Sequence, residues 1–390
     1  MASINDVQLV TSSPRSKTLR PYQKQFISDV YSHIRAGKKR ILGVAATGSG
    51  KTVISAQLIA HAVLKKRPSI FVVHRDILVN QTYDKLKRFG VSDCGFIKAG
   101  WEENRESLVQ IASVQTLPNR DWWQHYPAGL IILDECHITA FSGIVEQMMN
   151  QIFPSTLYLG LTATPWRLSK QEGMGDIFES LVSAPTPAEL IDQGYLVKPS
   201  YFSIDQADLE KVGTVAGEFN EAQLALACDR PELIEQIVRE WMRLARGRRT
   251  IAFAVDVAHS KHVCEAFRAA GIPSAHVDGT TPHKLRAQIC QQVGDGQILL
   301  LSSCQALTEG CDIPAVSAIL LCKPTESKAL HFQMIGRGLR LSPETDKRDC
   351  VIIDQAGNIQ RHGFVEDIGQ ISLDVGEEPQ EGEFPKKICP

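Results

Sequence analysis

The run Ala45-Ala46-Thr47-Gly48-Ser49-Gly50-Lys51-Thr52 constrains this chain more than any other feature. It follows the apolar stretch Arg40 to Ala45, and it opens a segment in which Val53, Ile54, Leu58, Ile59, Ala62 and Val63 recur at helical spacing. A glycine-rich turn between a strand and a helix is the setting of a phosphate-binding loop, so the chain is expected to build a parallel sheet with crossover helices. Thr47, Gly48, Ser49 and Gly50 then cradle phosphate oxygens with backbone N–H groups, aided by the positive potential of the helix N-terminus. Lys51 is expected to reach the β and γ phosphates of ATP, and Thr52 to supply a ligand to Mg2+. The first loop position is Ala where such loops begin with Gly.

The strand-and-helix alternation occurs twice. Arg40 to Ala45, Ile70 to Val73, Leu130 to Leu133 and Leu157 to Leu161 read as buried strands, and a second series reads as Ile251 to Val255, Ser274 to Val277, Ile298 to Leu301, Ala318 to Leu321 and Val351 to Ile353. The 390 residues suffice for two α/β units in tandem, at roughly 150 residues per domain. Pro185, Pro187, Gly194 and Pro199 punctuate the stretch between them. The expected organisation is an N-terminal extension over 1–15, a first domain over 16–198, a second over 199–375 and an acidic tail over 376–390.

Composition narrows the function. Hydrophobic residues at 43% and charged residues at 22% exclude a wholly disordered chain. A formal net charge of -2 gives no bulk attraction to nucleic acid, so any basic path must be local. The runs Lys38-Lys39-Arg40 and Lys65-Lys66-Arg67, and the cluster Arg243, Arg246, Arg248 and Arg249, read as solvated faces. Ten cysteines without a Cys-x-x-Cys pair support neither a zinc ribbon nor a dense disulfide framework, and His259, His262 and Cys264 lack a fourth ligand. Reduced thiols, the absence of a membrane-length apolar run and a plain N-terminus point to a cytoplasmic protein.

The strand-like Gly129-Leu130-Ile131-Ile132-Leu133 ends in Asp134-Glu135-Cys136-His137. Two carboxylates at the C-terminal end of a buried strand stand where such sheets bind nucleotide phosphates. Asp134 can hold Mg2+ while Glu135 orients or deprotonates the attacking water.

With these two segments in hand, the chain resembles the superfamily 2 helicases and translocases of the DExH (here Asp-Glu-Cys-His) type. The other motifs of that family occur in order. Leu19-Arg20-Pro21-Tyr22-Gln23 resembles the adenine-reading Q-type motif, and Val73-His74-Arg75 with Gln81 resembles motif Ia. Ala112-Ser113-Val114-Gln115-Thr116-Leu117 is similar to motif Ib and Leu161-Thr162-Ala163-Thr164-Pro165 to motif III. Ile251-Ala252-Phe253 resembles motif IV, the run from Leu307 to Pro314 motif V, and that from Gln333 to Arg340 motif VI. The Leu-Arg-Pro-Tyr-Gln opening and Ile353-Asp354-Gln355-Ala356-Gly357-Asn358 are similar to XPB-like, UvsW-like and type III restriction motors and to phage-encoded helicases.

The resemblance implies two RecA-like domains with ATP in the cleft between them. Gln23 would pair with adenine and Arg20 stack on or clamp it. Gly310 would turn the chain so that Asp312 reaches the ribose. Arg337 and Arg340, three apart on an expected helix, would be arginine fingers for the γ-phosphate beside Gln333, since a planar guanidinium fork suits phosphate charge. His137 would pass nucleotide state to Gln333, with Thr162 and Thr164 in the same coupling. His74, Arg75, Ser113, Gln115, Thr116 and Thr308 would hold the backbone of a single strand, DNA in preference to RNA, without reading bases.

The expected activity is ATP-driven movement along a strand, 3′ to 5′ by resemblance. Only about twenty residues separate Asp312 from Gln333, which leaves no room for a strand-splitting insertion there, so a translocase or annealing motor without unwinding stays open. The rival from another class is a P-loop switch or assembly ATPase that never touches nucleic acid. Protein partners and oligomeric state are not legible. The ending Lys386-Lys387-Ile388-Cys389-Pro390 resembles the first half of a Cys-Pro-x-Cys zinc knuckle, which raises the expectation that the natural chain continues into a small zinc module.

Overall fold

A computed structural model describes residues 19–74, 76–164, 174–215, 217–304, 312–369, 371 and 373. The extension over 1–15, Arg75, Pro165, Thr308, Gly310 and the tail with its Cys389-Pro390 end lie outside the described residues.

The first half builds a seven-stranded parallel sheet from β1 (Arg40–Val44), β2 (Ser69–Val73), β3 (Cys94–Ile97), β4 (Val109–Ser113), β5 (Leu130–Asp134), β6 (Leu157–Thr162) and β7 (Ser180–Ser183). Their order across the sheet is β3-β4-β2-β5-β6-β1-β7. β2 is buried along its whole length and β5 up to its final Asp134, because helices cover both faces and an apolar run is the sequence that satisfies such a strand. Helices Pro21–Arg35, Lys51–Leu64 and Asp76–Arg88 serve one face, and a cluster around Phe26, Ile54, Ile59, Phe71 and Leu86 fills that layer. Trp123, Met148, Tyr158 and Phe178 fill the other.

The chain crosses to the second half through the helix Pro187–Asp192 and the turn at Gly194. There β8 (Lys198–Ser203) is an edge strand. After a two-stranded hairpin of β9 (Thr214–Val215) and β10 (Glu218–Phe219) come β11 (Thr250–Phe253), β12 (Ser274–Val277), β13 (Leu300–Ser303), β14 (Ala318–Leu321) and β15 (Asp349–Asp354). The six long strands form a parallel sheet in the order β12-β13-β11-β14-β15-β8. Trp241, Phe267 and Ile353 lie in the core on one face. On the other, Ile251, Ile319, Phe332 and Ile352 share a core with Tyr22, Leu190 and Leu196, so the apolar interior runs from one unit into the next.

The punctuated stretch 184–200 carries regular structure: Pro187 starts a helix whose N-cap Thr186 accepts from Glu189 N while Glu189 reaches back, and Pro199 sits in β8. One sequence expectation, that of reduced thiols throughout, needs correction: Cys290 is disulfide-bonded, whereas Cys94, Cys136, Cys228, Cys264, Cys322 and Cys350 are free thiols. Among the described residues no helix is long and apolar enough to cross a membrane.

Candidate active site

The phosphate loop leaves β1 and enters the helix Lys51–Leu64. Gly48 and Gly50 both take left-handed backbone angles, φ +87° and +96°, which a side chain at either position would strain. A Cβ on Gly50 would also fall 2.5 Å from Nε2 of Gln23. Gln23 is buried, and its Nε2 donates to Ser49 O at 3.0 Å while its Oε1 accepts from Arg20 N at 3.0 Å. The residue expected to read adenine therefore also braces the loop from behind. Lys51 Nζ donates to Ala45 O at 3.2 Å and lies 3.8 Å from Glu135 Oε1.

β5 delivers Asp134 and Glu135 at the same edge. Glu135 has φ +45°, the left-handed region unfavourable for an L residue with a Cβ, and it precedes the short helix Cys136–Thr139. Burial, then the neighbouring Glu135, raise the Asp134 carboxyl above the usual range, against Lys85, Lys51 and His74. Glu135 goes the other way: burial would raise it, but Lys51, His137, His74 and Arg337 together hold it lower. Among the described residues no hydrogen-bond donor reaches the buried Oε2 of Glu135, although His137 Nδ1 lies 3.5 Å from it. These observations fit the groups that the motifs imply. A buried Asp134 carboxyl at the sheet edge suits Mg2+, a Glu135 oxygen open to a donor suits a water, and the curled loop before a helix suits a polyphosphate.

The second sheet meets this edge directly. Helix Lys328–Gly336 ends with Gly336 against the loop, where a Cβ would stand 2.5 Å from Thr47 Cβ. Gln333 is partly exposed on that helix. Arg337 is the C-cap, but Arg340 is not on the helix as expected. It follows a turn and pairs in an isolated antiparallel bridge with Leu196. Beyond the helix, a Cβ on Gly338 would stand only 2.4 Å from Cys350 Sγ of β15, so the turn packs closely on that strand. A Cβ on Gly48 would touch Arg340 Cγ at 3.2 Å, and Arg340 Nη1 is 2.7 Å from Asp312. The chain thus brings Thr47, Gly48, Glu135, Arg337 and Arg340 together from two sheets. A 490 Å³ cavity lies beside the loop, lined by Tyr22, Thr47, Thr164 and Gly336 but by neither Lys51 nor the carboxylates, so it neighbours the phosphate position without being it.

His137 Nδ1 lies 3.0 Å from Thr162 Oγ1 and 3.5 Å from Glu135, and Thr164 N donates to the same Thr162 oxygen at 3.0 Å. This joins motifs II and III residue by residue. His74 is buried at the end of β2. After β4, Thr116 N donates to Ser113 Oγ at 3.3 Å and the two hydroxyls are 3.2 Å apart, both buried, so these side chains shape a turn while Gln115 is exposed on it. Sequence reasoning missed two residues at the site. Tyr22 donates to Ser49 O, and Lys85 bears on Asp134 from the helix Asp76–Arg88, yet nothing in the spacing distinguishes Lys85 from the basic residues around it.

A phosphate loop and paired carboxylates on one parallel sheet, faced by arginines from a second, define a two-domain helicase-type fold. Residues 16–167 match the type III restriction enzyme res subunit family, and residues 230–342 match the helicase conserved C-terminal domain family. These two matches, in this order along the chain, fit a superfamily 2 helicase of the restriction-motor type. It is 31% identical over 377 residues to a candidate ATP-dependent helicase of Saccharomyces cerevisiae, IRC3, covering 90% of this chain and 53% of that protein. Among solved structures it is similar to a fragment of a candidate HsdR subunit of a type I restriction enzyme from Vibrio vulnificus YJ016 (TM-score 0.69, 21% identity, 90% of this chain and 68% of that one). It is also similar to the ATP-dependent type ISP restriction-modification enzyme LlaBIII bound to DNA (TM-score 0.64, 20% identity, 87% and 28%). The chain spans about half to two thirds of the length of the first curated relatives it matches.

Proposed function

We propose that this chain is an ATP hydrolase that moves along nucleic acid, with the reaction in the cleft between its domains, 16–198 and 199–375. The observation that carries the reading is the contact of Gly336 and Arg340 with Thr47 and Gly48, because a switch ATPase built on one domain has no use for arginines about 200 residues distant from Glu135. DNA is the proposed track, consistent with the DNA bound by the LlaBIII neighbour. Movement is proposed to run 3′ to 5′, in the cytoplasm.

ATP supplies the transferable phosphoryl group and Mg2+ the charge that neutralises it. Thr47, Gly48, Ser49, Gly50, Lys51 and Thr52 hold the phosphates and Thr52 and Asp134 the metal, while Arg20 and Gln23 hold the base and Gly310 and Asp312 the ribose. Glu135, kept ionised beside Lys51, accepts the proton of the attacking water. Arg337 and Arg340 stabilise charge at the γ-phosphate, and Gln333 lines their side of the cleft. His137, Thr162 and Thr164 report the occupancy of that site to the strand contacts at His74, Arg75, Ser113, Gln115, Thr116 and Thr308.

Displacement of streptavidin from biotinylated 3′ or 5′ DNA ends tests track and direction together. Faster release at the 5′ end of single-stranded DNA, with little on RNA, is expected. Equal release at both ends with no nucleic-acid stimulation of hydrolysis would favour the switch ATPase.

A further inference from the structure

The segment Tyr195–Val197 that joins the two domains does more than connect them. Its Tyr195 ring lies under the Arg20 guanidinium at 5.0 Å, and Arg20 Nη1 donates to Tyr195 O at 3.5 Å and to the Tyr22 hydroxyl at 3.1 Å. Tyr22 packs edge-on against Tyr195 at 5.0 Å and donates in turn to Ser49 O of the phosphate loop. Tyr195 N is held to Leu190 O at 2.8 Å, which fixes the ring relative to the helix Pro187–Asp192. Immediately after it, Leu196 pairs with Arg340 and Val197 N donates to Leu339 O at 2.9 Å. One short stretch thus touches the expected base site, the phosphate loop and the arginine strand.

A guanidinium has two flat faces, and its attraction to an aromatic ring fixes its plane. With Tyr195 on one face of Arg20, a purine base would have the other to stack on. We propose that Tyr195 is a positioning residue for the nucleotide base: it backs Arg20, so that the base, Arg20 and Tyr195 form a three-layer stack whose orientation the interdomain linker sets. The proposal rests on the ATP-site reading above and adds to it a linker residue that no motif contains. It also explains why the stack sits on the linker, since the same strand holds Arg340.

The test compares ATP with inorganic tripolyphosphate, which occupies the phosphate loop but has no base, using the full chain with single-stranded DNA. Tyr195→Ala should raise KM for ATP by about 2- to 30-fold, the range for one cation–π contact, with a smaller effect on kcat. Inhibition by tripolyphosphate should be unchanged. Tyr195→Phe should restore the wild-type KM, and Tyr195→Leu, which keeps bulk without a ring face, should behave as Tyr195→Ala. In an Arg20→Ala background Tyr195→Ala should add nothing. An unchanged KM, an equal loss of tripolyphosphate binding, rescue by Leu, or additive effects with Arg20→Ala would each overturn the proposal. Equilibrium binding of ATP against tripolyphosphate makes the same comparison without turnover, so failure of the motor reading is distinguishable from failure of this one.

Discussion

Glu135 and Lys51 show how single residues divide the chemistry. Glu135 occupies a left-handed backbone position, a conformation that costs of order 1 kcal/mol or more and is retained at sites where the side chain must point one way. Lys51 Nζ bridges Ala45 O and the Glu135 carboxylate, a resting position that phosphates would displace. Lys51→Ala should therefore nearly abolish ATP binding and turnover while the melting temperature stays close to wild type. Glu135→Gln should bind ATP and stall, because Asp134, the proposed metal ligand, is intact; equal loss of ATP affinity in both variants would refute the division. Gly50 is limited by geometry: Gly50→Ala forces a Cβ into a φ of +96° and against Gln23. A loss of more than about 1 kcal/mol in chemical denaturation, together with lost ATP binding, is the expected outcome.

At the scale of elements, the loop after β12 gives a pH-dependent prediction. Asp278 accepts from Thr280 N and Oγ1, from Thr281 N and Oγ1, and lies 3.2 Å from His276 Nε2. The Thr280 hydroxyl and His276 outweigh burial and hold this carboxyl far below its usual range. A depressed folded pKa contributes stability that is complete above the unfolded value of about 4 and is lost as pH falls below it. Asp278→Asn should cost about 1–3 kcal/mol at pH 7, and the difference from wild type should shrink in denaturation curves below pH 4. The elements that sequence reading found were long and apolar. β3 escaped because four residues including Gly95 carry too little pattern, and β4 because Gln110 interrupts it. Gln110 is buried there because its amide donates to Asn104 O and Ser107 O. β8 escaped because of Pro199, which a strand tolerates at the edge of a sheet. The phosphate loop, both carboxylates and the arginines were legible as motifs, whereas Tyr195 and the bridge from Leu196 to Arg340 were not, because contacts across a fold leave no local spacing.

For the whole molecule, the claim is that ATP hydrolysis needs both domains. Arg340 sits between Asp312 and the phosphate loop, and Arg337 is close enough to lower the Glu135 pKa, so both guanidinium groups already stand at the cleft. Arg248 looks from sequence like a neutral control, yet it forms a two-pronged pair with Asp349 at 2.6 and 3.2 Å at the start of β15, so removing it would disturb the sheet. Exposed Arg246 is the proper control. Replacing Arg340 by Lys should not rescue Arg340→Ala, because a point charge cannot reproduce the planar fork. The most direct measurement is ATP hydrolysis, with and without single-stranded DNA, in wild type, Arg337→Ala, Arg340→Ala and Arg246→Ala, with ATP affinity measured alongside. The account predicts DNA stimulation in wild type and Arg246→Ala, and a loss of about 10³ to 10⁵ in stimulated rate for either cleft arginine with most ATP affinity kept. Near-wild-type stimulated turnover in both Arg337→Ala and Arg340→Ala would contradict it and leave a single-domain P-loop switch as the better description.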